Sequence, residues 1–366
     1  MFSFFKKLIQ PAVANHPVAS KPSKVVSEIL AVADDRGVEK RLAGLLARGG
    51  EGTIHRLAER DDLLVKIYHP EILADRERAK RLMNKIADMT SNGGLKQHEQ
   101  IAWPLLPLYS RLDGQWCGYA MRARAGVSLR ELCGNPSNLA RTAPTWHRQH
   151  LVRLCVDFLD CIESLGKERA LPVDFNPSNF LIDLKTIRMN FIDCDSYQFM
   201  GPSGIHLCEV ILPEMAAPEV VKRNNLKEAM VSPASLRFSL GMTLFYILNL
   251  GNSPYRHRNG HDPVQNLMLG ACALGKGADC QLPAGSCYRI WSHLTFKLKD
   301  LFIRCFREGH GDPSVRPSVA EWKEALRHYN QRLSLGHADA SLMPEYAKSA
   351  EFRSSPEFRQ SSPFNR

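Results

Sequence analysis

Between Leu171 and Phe199 the chain runs LPVDFNPSNFLIDLKTIRMNFIDCDSYQF. Two short apolar runs, Phe180 to Ile182 and Met189 to Ile192, flank a polar turn from Asp183 to Thr186. Runs of that length, bounded by turn formers, predict a β-hairpin. Asp174 opens the loop before the first strand, Asn179 closes it, and Asp193-Cys194-Asp195 follows the second strand. The hairpin can thus bring three oxygen-bearing side chains, Asp174, Asn179 and Asp193, to one of its ends. Such oxygens suit Mg²⁺, a hard cation that keeps several waters and shares its coordination with phosphates. Ordinary hairpins also use Asp and Asn in their turns, so the rest of the chain has to decide between the two readings.

Composition narrows the classes. The 366 residues are 44% hydrophobic and 23% charged, which predicts a globular chain rather than a disordered one. No run approaches the ~20 apolar residues that cross a bilayer. The N-terminus lacks the clean apolar core of a secretion signal. Ten cysteines are scattered with no C-x-x-C pair. That pattern suits reduced, buried thiols and a cytoplasmic protein better than a disulfide or zinc framework. Of the net charge of +10, residues 1–24 carry +4 and residues 347–366 carry +2. The two tails, which read as solvated ends, therefore hold +6 of the +10 and leave the rest only mildly basic, and no nucleic-acid partner is expected.

The chain in order supplies further elements. Ser27 to Leu46 begins as helix and passes into a strand. LLARGGEGTIHRLAERDDLLVKIYHP then reads as strand, glycine turn, strand, acidic turn, strand. Gly49, Gly50 and Gly52 free the backbone to approach a ligand closely. Alternation puts Leu64, Lys66 and Tyr68 on one strand face, where a lysine needs an anionic partner or must reach water. Glu71 to Met89 is charged and helical. Ile101 to Ser110 and Trp116 to Arg124 form two strands around Asp113-Gly114. Trp146 to Leu165 shows the helical period, with Gly166 as its stop. Phe238 to Leu250 is apolar nearly all round and predicts a buried helix. Ser318 and Glu321 make a capping box. From about Ser341 the periodicity is lost, and the Ser/Pro-rich end reads as a disordered tail.

Taken together, these motifs resemble the protein kinase superfamily. Asp174 to Asn179 is similar to the D-x-x-x-x-N catalytic loop, and Asp193 opens a D-F-G-like triplet. Ala47 to Ile54 resembles the glycine-rich loop, with Ala47 for its first glycine and Ile54 for its valine. Ala217-Pro218-Glu219 matches the A-P-E motif, and Arg316 is the arginine expected to pair with Glu219. The D-C-D-S-Y-Q turn and the RCFREGHGDPSVRPSVAEW ending resemble, more narrowly, bacterial Ser/Thr kinase-like proteins of tellurite-resistance-associated phosphorylation systems. Members of that group are encoded beside a von Willebrand A-type protein and a PP2C-type phosphatase, which the resemblance implies as partners beside ATP and a protein substrate.

The resemblance implies an α+β, bilobal, protein-kinase-like fold with a small antiparallel-sheet N-lobe and a mainly helical C-lobe. Its segments would be an N-terminal extension at 1–37, the N-lobe at 38–125, the C-lobe at 126–335 and the tail at 336–366. It implies ATP and Mg²⁺ as cofactors. Asp174 would be the base, Lys66 would hold the α- and β-phosphates, and Asn179 and Asp193 would hold the metal. Glu77 would pair with Lys66, with Glu71 as runner-up. Gly49, Gly50, Gly52 and Ile54 would cover the phosphates, while Met121, Ala123 and Leu181 would line the adenine site.

Departures from the pattern keep other functions open. Pro172-Val173 replace His-Arg before Asp174, Asn176 replaces a lysine, and Leu64 replaces a small alanine. Asp195 replaces the last glycine of D-F-G, where it would bind a second Mg²⁺ or cap the turn. Leu236 replaces an aspartate that braces the catalytic loop. A protein serine/threonine kinase is the leading reading. A pseudokinase that binds nucleotide as a regulator or scaffold is the second, and a small-molecule kinase the third.

Overall fold

A computed structural model of the chain describes residues 31–223 and 230–344. The fold is mixed α and β. Its first part is built from β1 (Ala31–Ala33), β2 (Glu39–Arg48), β3 (Gly52–Leu57), β4 (Leu63–Tyr68), β5 (Pro104–Ser110) and β6 (Trp116–Arg122). All their pairings are antiparallel, and β1 bonds both β2 and β5. The six strands therefore close into a barrel in the order β1-β2-β3-β4-β6-β5, where the resemblance implies a small antiparallel sheet. Closure removes the free edges that an open sheet would leave. Val32, Leu57, Val65, Ile67, Leu108, Cys117 and Ala120 form a small core of their own.

The barrel starts at Ala31, so the expected boundary at residue 37 falls within it. The expected early helix gives way, over its described part, to β1 and the turn that joins it to β2. Asp34 sets that turn by accepting from the N–H groups of Arg36 and Val38. Residues 1–30, with most of the N-terminal extension, lie outside the described residues.

Helix α1 (Arg76–Ser91) packs across the barrel on β5. Asp75 caps it by accepting from the Arg78 N–H. Leu82, Lys85, Ile86 and Met89 form its buried face. The hairpin predicted at the centre of the chain is present as β9 (Phe180–Asp183) and β10 (Arg188–Phe191). It is extended by β7 (Val127–Ser128) on β9. A second three-stranded sheet joins β8 (Ala170–Leu171), β11 (Gln198–Gly201) and β12 (Gly204–His206). The hairpin is tied to the barrel side by backbone bonds and by Gln100, whose Nε2 donates to the Met189 carbonyl. Ala102 N–H donates to the Phe191 carbonyl at 2.8 Å, and Phe191 N–H donates to Gln100 at 2.7 Å.

The rest is helical. Helix α2 (Arg148–Lys167) lies behind the hairpin and meets both α3 (Pro233–Leu248) and α4 (Val319–Ser334). It runs one residue past Gly166, and the left-handed turn residue is Arg169, with φ of 56°. Helix α3 is buried nearly all round, as its sequence requires. Ser318 and Glu321 form the capping box of α4. Arg148 is fully buried and joins these helices, donating to Tyr329 Oη, to the Leu248 carbonyl and to the Leu342 carbonyl. Ala338, Ala340 and Leu342 pack on the main core, so the ordered part continues past the expected boundary at residue 336. The tail from residue 345 lies outside the described residues. Among the described residues no helix is long and apolar enough to cross a membrane.

Candidate functional site

Strand register builds one wall of the site. Ala47 lies opposite Ile54, Ile54 opposite Lys66, and Lys66 opposite Tyr119. Directly opposed residues share a sheet face, so these four form a row across β2, β3, β4 and β6. Tyr68 follows Lys66 on the same face of β4. Two glycines let the strands meet this closely. A Cβ on Gly118 would lie 1.9 Å from the Lys66 carbonyl oxygen, and one on Gly52 would lie 2.3 Å from that of Ile67.

The hairpin brings the opposite wall. Ile192 N–H donates to the Asn179 carbonyl at 3.0 Å, which holds the loop against the end of β10. Asn179 Nδ2 donates to Asp174 Oδ2 at 3.1 Å. Asp193 adopts left-handed backbone geometry, with φ of 58°. Aspartate tolerates that region better than most residues, and such strain gathers at functional sites. The following turn is closed by the Ser196 hydroxyl, which donates to the Asp193 carbonyl.

The two walls meet at Lys66. Its Nζ donates to Asp193 Oδ1 at 2.7 Å and to Asp195 Oδ2 at 2.7 Å. Glu51 Oε2, on the glycine turn, lies 4.0 Å away. Tyr68 Oη donates to Asp195 Oδ2 at 2.6 Å, and Tyr119 Oη to Asp195 Oδ1 at 2.7 Å. Burial alone would depress the Lys66 ammonium, but the charges of Asp195 and Asp193 more than offset it and hold it above the usual lysine range. Burial likewise works against the Asp195 carboxylate, yet Lys66 and the two tyrosine hydroxyls keep it below the usual range. Asp174 is buried, and that burial, followed by the charge of Asp193, pushes its carboxyl up to about 6.

Several expected site residues stand elsewhere or are engaged. Glu77 is exposed in the first turn of α1 and is not a partner of Lys66. Helical geometry explains the correction. The buried face of α1 runs through Leu82, Lys85, Ile86 and Met89, and a residue at position 77 lies off that stripe. Glu71, the runner-up, is exposed too. Gly49 N–H closes its own turn on the Gly52 carbonyl at 2.8 Å, and Gly50 faces open space. Met121 is buried opposite Leu64, and Leu181 is half-buried opposite Ser128. Ala123 N–H already donates to the Asp62 carbonyl at 2.8 Å, so it does not offer a free donor to a base.

Three contributors were not read from the sequence. Alternation places Tyr68 on the face of Lys66 but assigns its hydroxyl no partner. Tyr119 is brought in by strand register alone. Arg130, from the short helix Leu129–Cys133, donates to Ser178 Oγ at 2.9 Å and to Asn176 Oδ1 at 3.1 Å. These two bonds brace the loop between Asp174 and Asn179.

The donor set fits Mg²⁺. Asp174 Oδ1 is buried with no hydrogen-bond partner among the described residues, and the charge of Asp193 reaches it. Asp193 and Asn179 add a carboxylate and an amide oxygen. Among the described residues no cluster of three His, Cys, Asp or Glu side chains could hold a metal ion by itself. A cation here would keep waters and take ligand oxygens, as Mg²⁺ does. Chemically, the arrangement offers a buried carboxyl group, a fixed cation and oxygen donors at one place.

No protein-family model matches the chain. The chain is similar to the protein kinase YegI of Escherichia coli strain K12, at 23% identity over 210 residues, 57% of this chain and 31% of that protein. The protein kinase YegI of Escherichia coli O157:H7 matches to the same extent. The matched region thus spans about a third of these relatives. This distant likeness supports a kinase-like family.

Proposed function

We propose that the chain is an ATP- and Mg²⁺-dependent protein serine/threonine kinase with the bilobal kinase fold. The observation that carries this reading is the convergence of Lys66 on Asp193, 127 residues away, beside the Asp174–Asn179 pair. No ordinary hairpin calls for a buried lysine from another sheet. The named relatives, both protein kinases, support the same class.

In this reading Lys66 holds the α- and β-phosphates of ATP, and the glycine turn with Ala47 and Ile54 covers them. Asp193 and Asn179 would hold Mg²⁺, which when bound neutralises charge on the phosphates. Asp174 accepts the proton of a serine or threonine hydroxyl. The freed oxygen bonds to the γ-phosphorus as the bond to the β-γ bridging oxygen breaks, releasing ADP. Catalysis of this kind is mostly positioning and charge stabilisation. The cysteine pattern extends the reading to a cytoplasmic setting, and the resemblance to a von Willebrand A-type protein and a PP2C-type phosphatase as partners.

The test is incubation of the purified chain with γ-labelled ATP and Mg²⁺, beside Asp174→Ala and Asp193→Ala. Label on the wild type or on a generic protein acceptor, absent from both variants, is the expected result. Mg²⁺-dependent thermal stabilisation by ATP without transfer would turn the reading to a pseudokinase. Transfer to a small molecule alone would turn it to the third reading.

A further inference from the structure

We propose that Asp195, clasped by Tyr68 and Tyr119, is the residue that positions Lys66 for phosphate, in place of a glutamate on helix α1. The inference rests on the kinase reading above and assigns Asp195 a role within it.

Both oxygens of Asp195 are already engaged within the protein. Oδ2 accepts from Lys66 and Tyr68, while Oδ1 accepts from Tyr119 and, at 3.0 Å, from Lys66. The side chain is 1% exposed, against 36% for Asp193. The two carboxylates therefore divide the work. Asp193 contacts Lys66 through Oδ1 and remains open to a metal, whereas Asp195 is enclosed and saturated. A second metal-binding role for Asp195 would need these bonds broken.

The clasp is rigid on the barrel side. Tyr68 is on β4 with Lys66, and Tyr119 lies opposite Lys66 on β6. Tyrosine needs few torsions fixed to aim its hydroxyl, so the ordering cost is small. Helix α1 offers no substitute. Its buried face presents Lys85, which donates to the Leu207 carbonyl, and its half-buried Arg78 donates to Glu51. It follows that the 193–196 turn, and not the tilt of α1, governs the set of Lys66.

The test uses the full chain with Asp195→Asn, the Tyr68→Phe/Tyr119→Phe pair, Lys66→Ala, the Lys66→Ala/Asp195→Asn double variant, and Glu77→Gln as control. The first readout needs no ligand. Acylation of Lys66 by an amine-reactive reagent is followed by mass spectrometry. Asp195→Asn and the tyrosine pair are expected to speed it about tenfold, a modest part of what a buried charge pair is worth. Glu77→Gln leaves it unchanged.

Phosphotransfer by Asp195→Asn is expected to fall about 100-fold, the cost of a misplaced group. The Mg²⁺ concentration for half-saturation stays put, and the double variant is no worse than Lys66→Ala. Unchanged Lys66 labelling in Asp195→Asn, faster labelling in Glu77→Gln, additive losses in the double variant, or a shifted Mg²⁺ requirement would each overturn the proposal. Should Asp195→Asn fail to fold, the tyrosine pair gives the same labelling readout. A wild type that transfers no phosphoryl group would sink the kinase reading alone, and the labelling comparison would still decide the clasp.

Discussion

Arg316 grips Glu219 with two parallel bonds, Nη1 to Oε1 at 2.6 Å and Nη2 to Oε2 at 2.9 Å, across 97 residues of sequence. The guanidinium is fully enclosed, and it also donates to the carbonyls of Gly309 and Ala234. Ser235 adds a hydroxyl donor to Glu219. The pair thus binds the A-P-E segment to the start of α3 and to the segment before α4. Glu219→Ala leaves a buried cation without its counter-charge. It should destabilise the fold by about 3 kcal/mol, read by chemical denaturation.

Asp174 predicts the acid side of the pH–rate profile. Burial and the neighbouring Asp193 raise its carboxyl to about 6. A base works only when deprotonated, so kcat/KM should fall as pH drops through about 6, tenfold per unit below it. A raised carboxylate keeps its proton to higher pH, which is why the limb lies above the ordinary aspartate range. Asp174→Asn should lower phosphotransfer by about 100-fold or more while ATP binding persists, measured by rate assay and by nucleotide titration.

Gly118 answers for the closeness of β6 to β4. A Cβ there meets the Lys66 carbonyl carbon at 2.9 Å as well as its oxygen, both main-chain atoms that cannot swing aside. Gly118→Ala should cost about 2 kcal/mol of stability through overpacking. It should also weaken ATP binding, because the shifted strand carries Lys66. Thermal melts with and without MgATP check both effects.

Arg130 should matter to turnover more than to stability. Its side chain is about half exposed, and its bonds go to Asn176 and Ser178 in the loop that holds Asp174 and Asn179. Arg130→Ala should leave the melting temperature nearly unchanged, as exposed polar contacts are worth little. A loosened loop should lower kcat about tenfold with KM for ATP unaltered. Steady-state kinetics would separate the two parameters.

Local chemistry made much of this legible beforehand. The hairpin of β9 and β10, the helices α2 and α3, the capping box of Ser318 and Glu321, and the pairing of Arg316 with Glu219 all follow from short-range pattern or motif. The position of Lys66 on a strand face shared with Tyr68 follows from alternation over three residues. These features depend on neighbours in sequence, or on a motif whose partner is named by the motif itself.

Tertiary structure alone decided the partners of Lys66. Alternation asks for an anionic partner or a route to water for that lysine and cannot choose among Glu71, Glu77, Glu51, Asp193 and Asp195. The choice turns on the left-handed geometry of Asp193, on the turn that aims Asp195 inward, and on the β4–β6 register that puts Tyr119 opposite Lys66. Closure of the barrel was hidden for the same reason, since three residues of β1 must find both β2 and β5. Contacts between distant segments are set by how the whole chain packs. A sequence states which groups need partners, and only the packed fold determines which partner arrives.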